Sequence, residues 1–313
     1  MGLYFGVDVG GTQIKFGHFS KEGILLEKWI ADTDLTEAGN RIIPQVAEEI
    51  RDFCKRKKID STEISGIGMG IPGPVDKNGY VKKSVNLHWY DFNPVEILRQ
   101  EFPGVTVEAG NDANVAALGE YYAGGGKKYS SMMLITLGTG VGGGIILNGN
   151  VLLGANGIAG EIGHITVDPG ESDACNCGNH GCLDQFASAN GLVRIANRLT
   201  KERKTESPLQ NIKNFTAKEI CGLAGQGDKL CIKCLEICMG NLGHAMAEFT
   251  HAFDPEAFVI GGGVSRSSEL ILPIIQKAYS EKLHLIEKGA DIVTAQLGND
   301  AGITGACLQV LHK

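Results

Sequence analysis

Between Gly160 and Phe186 the chain reads GEIGHITVDPGESDACNCGNHGCLDQF, where His164, Cys175, Cys177 and Cys182 offer one imidazole and three thiols in a short span. That set suits a tetrahedral Zn²⁺ ion, although C-x-C-x4-C is tighter than the common finger spacing. Gly178 and Gly181 lie between the last two cysteines, where a chain wrapping a metal needs positive φ or close backbone approach. With all four positions acting as ligands the site is closed and structural rather than hydrolytic. Its rim carries Glu161, three residues before the histidine, and Asp184, two after the last cysteine, so both carboxylates are drawn toward one candidate substrate pocket.

A second kind of chemistry is written in glycine. Asp8 ends a strand-like LYFGVDV beside Gly10-Gly11-Thr12, and SMMLITLGTGVGGGIILN repeats that grammar with Gly138-Thr139-Gly140 between two apolar runs. Turns without side chains leave backbone N–H groups open to phosphate oxygens, and an aspartate next to one can hold a hydrated Mg²⁺. The first turn is not the G-x4-G-K-S/T pattern, and no G-x-G-x-x-G opens a helix there, so P-loop and Rossmann readings are unsupported. Each alone could be an ordinary hairpin turn; their recurrence points to a duplicated architecture gripping phosphates between halves. At a strand-to-helix junction, Asn111 and Asp112 stand together in NDAN. One of the two can cap the helix, leaving the other to act, and a carboxylate near a hydroxyl proton is what phosphoryl transfer to an alcohol requires.

The 313 residues allow one large or two ordinary domains, and 43% apolar residues suffice for real cores. A net charge of -7 argues against a nucleic-acid surface. No run of 18 apolar residues appears, and the opening MGLYFGVDVGG reads as a strand rather than a signal peptide, so a soluble cytoplasmic protein without a membrane partner is expected. The 9 cysteines, an odd number, fit a reducing compartment. Cys231, Cys234 and Cys238 fall on the apolar stripe of a helix and read as core.

The elements needed to position these groups are also visible. Residues 40–58 carry apolar residues at helical spacing, and ISGIGMGIPGPVD is a strand running into a rigid Gly/Pro wall. SVNLHWYDFN (84–93) reads as a loop in which Asn86 and Trp89 either line a pocket or cap the loop. Residues 105–108 form a short strand delivering Asn111-Asp112 to a helix. Helical pattern resumes at 188–199, 201–214 is polar and loop-like, AFVIGGG (257–263) is another strand into a glycine turn followed by a Ser267-capped helix, and 299–309 is a closing helix.

Taken together, DVGGTQIK (8–15), GIPGPVD (70–76), NDAN (111–114), LGTGVGGG (137–144), GEIGH (160–164), CNCGNHGC (175–182) and IGGG (260–263) resemble the ROK family of sugar kinases and repressors nearly end to end. The resemblance implies an actin-like ATPase (ribonuclease H-like) fold: two α/β domains around a cleft, with a zinc-binding loop. Residues 1–115 with 299–313 are expected to form one domain and 116–298 the other. It implies ATP-dependent phosphorylation of a hexose, most simply glucose at its 6-hydroxyl, with N-acetylmannosamine, fructose or another hexose as alternatives. Asp112 would be the base. Gly73, Asn86, Asn111, Asp112, Glu161, His164 and Asp184 would meet the sugar. Asp8, Gly10, Gly11, Thr12, Lys15, Gly138, Thr139, Gly140, Gly142, Gly262 and Gly263 would meet ATP and Mg²⁺. His164 would give one ring nitrogen to zinc and the other to sugar. A homodimer is a further expectation from the family.

Two positions depart from the family pattern. Asp184 stands where Glu is usual, one methylene shorter, which leaves its carboxylate about 1.5 Å short of a sugar. Val85 stands where many members have Pro. Repressors of the family carry a helix-turn-helix before the first glycine turn; here that turn begins at Asp8, leaving no room for one. A catalytically silent sugar sensor is a third possibility, against which Asp8, Asp112 and both turns argue.

Overall fold

The computed structural model describes residues 2–202 and 205–313. It resolves two compact units, Met1–Lys128 with Gly144–Gly160 and Leu297–Lys313, and Tyr129–Gly143 with Glu161–Gln296.

In the first unit, β1 (Leu3–Val9), β2 (Gln13–Phe19) and β3 (Leu25–Asp32) form an antiparallel meander. After α1 (Ile42–Lys57), β4 (Ile64–Ile71) returns parallel to β1. A small hairpin, β5 (Val81–Ser84) with β6 (Trp89–Phe92), and helix α2 (Pro94–Glu101) precede β7 (Thr106–Asn111), which pairs parallel with β4. The sheet order is β3-β2-β1-β4-β7. β7 runs directly into α3 (Asp112–Ala123).

The core of this unit explains two segments whose sequence misleads. β3 exposes Leu26 and Ile30, yet Trp29 on its other face stacks between Phe16 (4.9 Å) and Phe53 (4.6 Å), so its inward face packs into the core while its backbone pairs with β2. Ser84–Asn93, expected as a loop, is a short 3-10 turn followed by β6. Trp89 is buried to 1% exposure and its indole Nε1 donates to the Gly39 carbonyl at 2.9 Å; it is core, and lines no pocket.

The second unit is built on β8 (Met132–Leu137), the start of β9 (Val141–Leu147), β11 (Ala257–Gly261) and β12 (Asp291–Thr294). With β10 (Asn150–Val151) the sheet order is β10-β9-β8-β11-β12, the order of the first sheet over again, which bears out the duplication. Helices α4 (Asp184–Ala187), α5 (Ala189–Glu202), α6 (Ala217–Gly225), α7 (Lys229–Phe253) and α8 (Ser268–Lys282) lie among these strands in the chain. Cys231, Cys234 and Cys238 are fully buried on α7, as core. Ser267 precedes α8 without a side-chain capping bond, a correction to its expected role, because a 3-10 turn over Val264–Ser267 leads into the helix and satisfies its entry. The stretch 201–214 opens with the last turn of α5 and includes a 3-10 turn at Pro208–Asn211; 203 and 204 lie outside the described residues.

The last helix, α9 (Ala301–Leu311), belongs to the first unit. It lies so close that a Cβ at Gly6 or Gly68 would overlap the carbonyl oxygens of Ile303 and Ala306, and one at Gly305 would overlap that of Val115 on α3. Those glycines are what let helix backbone press directly on strand backbone. Among the described residues, no helix is long and apolar enough to cross a membrane.

Candidate active site

The first unit carries a glycine turn and a carboxylate–amide pair of its own. The β1–β2 turn is closed by Gly10 N–H donating to Gln13 O at 3.0 Å and held from outside by Thr33, whose hydroxyl donates to Gly10 O at 2.7 Å. Asp8 faces Lys15 across the hairpin, Lys15 Nζ donating to Asp8 Oδ2 at 3.0 Å, and a Cβ on Gly302 in the first turn of α9 would come 2.8 Å from the Asp8 carboxyl carbon. The Asp8 charge is thus offset by a cation and a helix N-terminus. A Cβ at Gly11 would meet the Asn86 carbonyl at 2.9 Å, so Asn86, exposed, stands beside the turn through its backbone.

At the start of α3 the open question of which residue caps is resolved. Asn111 is the N-cap, its Oδ1 accepting from the N–H groups of Ala113 (3.0 Å) and Asn114 (3.1 Å). Its Nδ2 donates both to the carbonyl of Gly73 (3.1 Å) and to Asp112 Oδ1 (3.0 Å). Asp112 Oδ1 also accepts from Ala113 N–H at 2.8 Å. One amide side chain therefore fixes the Gly/Pro wall, the helix start and the half-buried carboxylate together. Gly73 itself has φ +101.

The second unit carries the other glycine turn, the Cys/His loop and the motif GEIGH. Gly138–Gly140 is closed by Gly138 N–H to Gly140 O at 2.9 Å, while Gly142 lies within β9 rather than in the turn. Gly262, with φ +87, packs against Leu137 at the turn's entrance; a Cβ at Gly263 would meet nothing within 4 Å. Ile162–His164 form a 3-10 turn with Glu161 and His164 exposed, and a Cβ on Gly163 would overlap the Val141 carbonyl.

His164, Cys175, Cys177 and Cys182 converge, their ligand atoms all lying within 4.8 Å of one another. Cys175 Sγ stands 3.9 Å from His164 Nδ1, and Cys177 Sγ 3.6 Å from Cys182 Sγ. A tetrahedral Zn²⁺ with Zn–S near 2.3 Å and Zn–N near 2.0 Å requires edges of about 3.5–3.8 Å, so the set fits. Nδ1 faces the thiols, which leaves Nε2 for another partner. Burial and the neighbouring sulfurs push the Cys182 thiol up to about 12, whereas the Asn179 backbone N–H lowers that of Cys177. Thiols packed this way ionise together most readily around a cation. Both expected glycines carry positive φ, Gly178 at +90 and Gly181 at +70.

Sequence reasoning missed the anchor of this loop. Glu171, buried, receives Arg198 (2.9 and 3.0 Å) and Arg194 (2.8 Å) from α5. The Arg198 hydrogen bonds, then the Asp173 backbone and Arg194, hold its carboxyl at about 2 against an ordinary 4.5. A depressed carboxylate contributes stability that is full above about pH 4.5 and lost as pH falls toward 2. Glu171→Gln is accordingly expected to destabilise the protein at pH 7 by about 2 kcal/mol, below the ~3–5 kcal/mol of a fully buried broken pair because the arginines are partly solvated. Melting of both proteins from pH 7 down to pH 2 checks this: the gap must close with acid, and a constant gap would refute it.

Two sheets of one repeated order, each with a glycine turn after its first strand, are the actin-like ATPase fold, here with a Cys/His cluster that could bind zinc. The chain belongs to the ROK family, whose model matches residues 4–313. It is 40% identical over 307 residues to a glucokinase of Halalkalibacterium halodurans, covering 96% of this chain and 93% of that one. Among solved structures it is similar to a ROK family glucokinase from Streptomyces griseus in complex with glucose and AMPPNP (TM-score 0.78, 33% identity, 99% and 100% coverage). It is also similar to the ROK hexokinase from Thermus thermophilus (TM-score 0.80, 31% identity, 98% and 97% coverage).

Proposed function

We propose that this protein is an ATP-dependent hexose kinase that phosphorylates glucose at its 6-hydroxyl. The observation that carries the reading is the division of labour at the start of α3: Asn111 caps the helix, and Asp112 is oriented by it as the group to take the hydroxyl proton. Asn111, Glu161 and the Nε2 of His164 are the sugar's hydrogen-bond partners in this reading, with Gly73, Asn86 and Asp184 bordering it. The Gly10–Thr12 and Gly138–Gly140 turns, with Gly142, Gly262 and Gly263 behind the second, present backbone to the phosphates, and Lys15 adds a positive charge.

Mg²⁺, held by Asp8, would supply charge neutralisation on the phosphates. Structural Zn²⁺ at His164, Cys175, Cys177 and Cys182 would fix the imidazole tautomer. A homodimer in the cytoplasm, without a nucleic-acid partner, belongs to the same reading; it rests on family likeness and on the net charge of -7.

The test is ATP-coupled ADP release across glucose, N-acetylglucosamine, N-acetylmannosamine, mannose, fructose and allose, with zinc measured on the same sample. Glucose is expected to give the highest kcat/KM. Preference for another of these sugars would keep the kinase and move the substrate; no turnover on any of them, with zinc bound, would sink the reading.

A further inference from the structure

One oxygen of the Asp184 carboxylate is taken up by the backbone of the second glycine turn. Its Oδ1 accepts from Val141 N–H at 2.6 Å, where the Gly138–Gly140 turn enters β9, and a Cβ built on Gly140 would come 2.8 Å from the same oxygen. The opposite end of the turn is held by the same segment: Ala189 N–H donates to the Gly138 carbonyl at 2.8 Å. Between these two anchors Ser188, fully buried, donates to the Asp184 carbonyl at 2.6 Å and accepts from Gly191 N–H at 2.9 Å. Residues 184–189 thus form a clamp across the turn, with a charged acceptor at one jaw and a backbone donor at the other. The clamp is fixed in turn to the metal loop, since Cys182 N–H donates to Gln185 Oε1 (3.0 Å) and Leu183 N–H to Ile165 O (2.9 Å), beside His164.

We infer that Asp184 is a positioning residue for the nucleotide, setting the Gly138–Gly140 turn so that the N–H groups of Thr139 and Gly140 face the ATP phosphates. The inference rests on the kinase reading above and deepens it. It also accounts for the departure from Glu: the shorter arm carries the carboxylate to Val141, against a glycine that has no side chain to displace it. The same charge opposes an approaching phosphate, so its use is in orientation, and a neutral acceptor of the same shape should serve as well.

The test measures binding of a non-hydrolysable ATP analogue with Mg²⁺, in the absence of sugar, alongside glucose binding and zinc content. Asp184→Ala is expected to weaken the analogue on the order of tenfold. Asp184→Asn, which keeps the acceptor and drops the opposing charge, should restore wild-type affinity or exceed it. Unchanged analogue affinity in Asp184→Ala, or an Asn variant as weak as Ala, overturns the inference. Should Asp184→Ala lose zinc or fail to fold, Gly140→Ala decides: its methyl displaces Oδ1, so it must weaken the analogue to the same extent in the wild-type and Asp184→Asn backgrounds, both of which keep the acceptor, whereas an analogue affinity indifferent to Gly140→Ala overturns the clamp. Wild-type protein that binds the analogue but phosphorylates no hexose would sink the kinase reading and leave this assignment standing. Hexose turnover with analogue affinity indifferent to Asp184 would do the reverse.

Discussion

Asp112→Asn should lower kcat by on the order of 10²-fold or more while leaving KM for glucose within about threefold. The asymmetry follows from the geometry at α3. Asp112 Oδ1 accepts from Asn111 Nδ2 and from Ala113 N–H, and an asparagine keeps an oxygen in that place, so the helix start and the Gly73 wall keep their shape. What the amide cannot do is accept a proton from a hydroxyl. Because general-base help is realised only as the proton leaves, its loss falls on kcat. Single-turnover kinetics with saturating ATP would isolate that step from product release. Turnover equal to wild type would remove Asp112 from the mechanism.

A comparable loss is expected from a residue that has no reacting atom near it. Cys177→Ser should strip the loop of its metal and reduce activity on the order of 10²-fold, acting through the disorder of His164 and Glu161. The Cys177 and Cys182 sulfurs stand 3.6 Å apart, a spacing suited to sharing a cation and costly for two thiolates without one. Zinc content, protease cleavage between 165 and 182, and glucose affinity should change together. The first unit should be indifferent, since its core from Phe5 to Val107 contains no residue of the loop. Full activity without metal would show that the loop is held by Glu171 and its arginines alone.

How much of this could be read from sequence depended on how far apart the cooperating residues lie. The zinc ligands fall within 19 positions, and their residue types carry the chemistry by themselves, so the cluster and its two positive-φ glycines were legible. The turn at Gly138–Gly140 was legible for the same reason. Its clamp was not, because Val141 and Asp184 are 43 residues apart and nothing in LDQF advertises an acceptor for a backbone N–H. The Glu171 anchor draws on arginines 23 and 27 residues later on a helix whose charged face looks like any solvated surface. Ser84–Asn93 misled because its polarity outweighed Trp89, whose burial is decided by a carbonyl 50 residues upstream. Local chemistry is written in order; tertiary partners are not.

The placement of α9 has a consequence for how the protein comes into being. During synthesis, residues 1–128 emerge first, with β1, β4 and α3 in hand, but the helix that presses on all three is 301–311. The glycines that admit it, Gly6 and Gly68, leave a bare groove of backbone until it arrives. The first unit therefore cannot complete its packing until the second has been made, and its closing contacts join residues 297 (Gly6 and Ile303) and 238 (Gly68 and Ala306) positions apart in sequence. Such long-range closure is slow, and nascent chains stalled before residue 301 should be the species that chaperones meet.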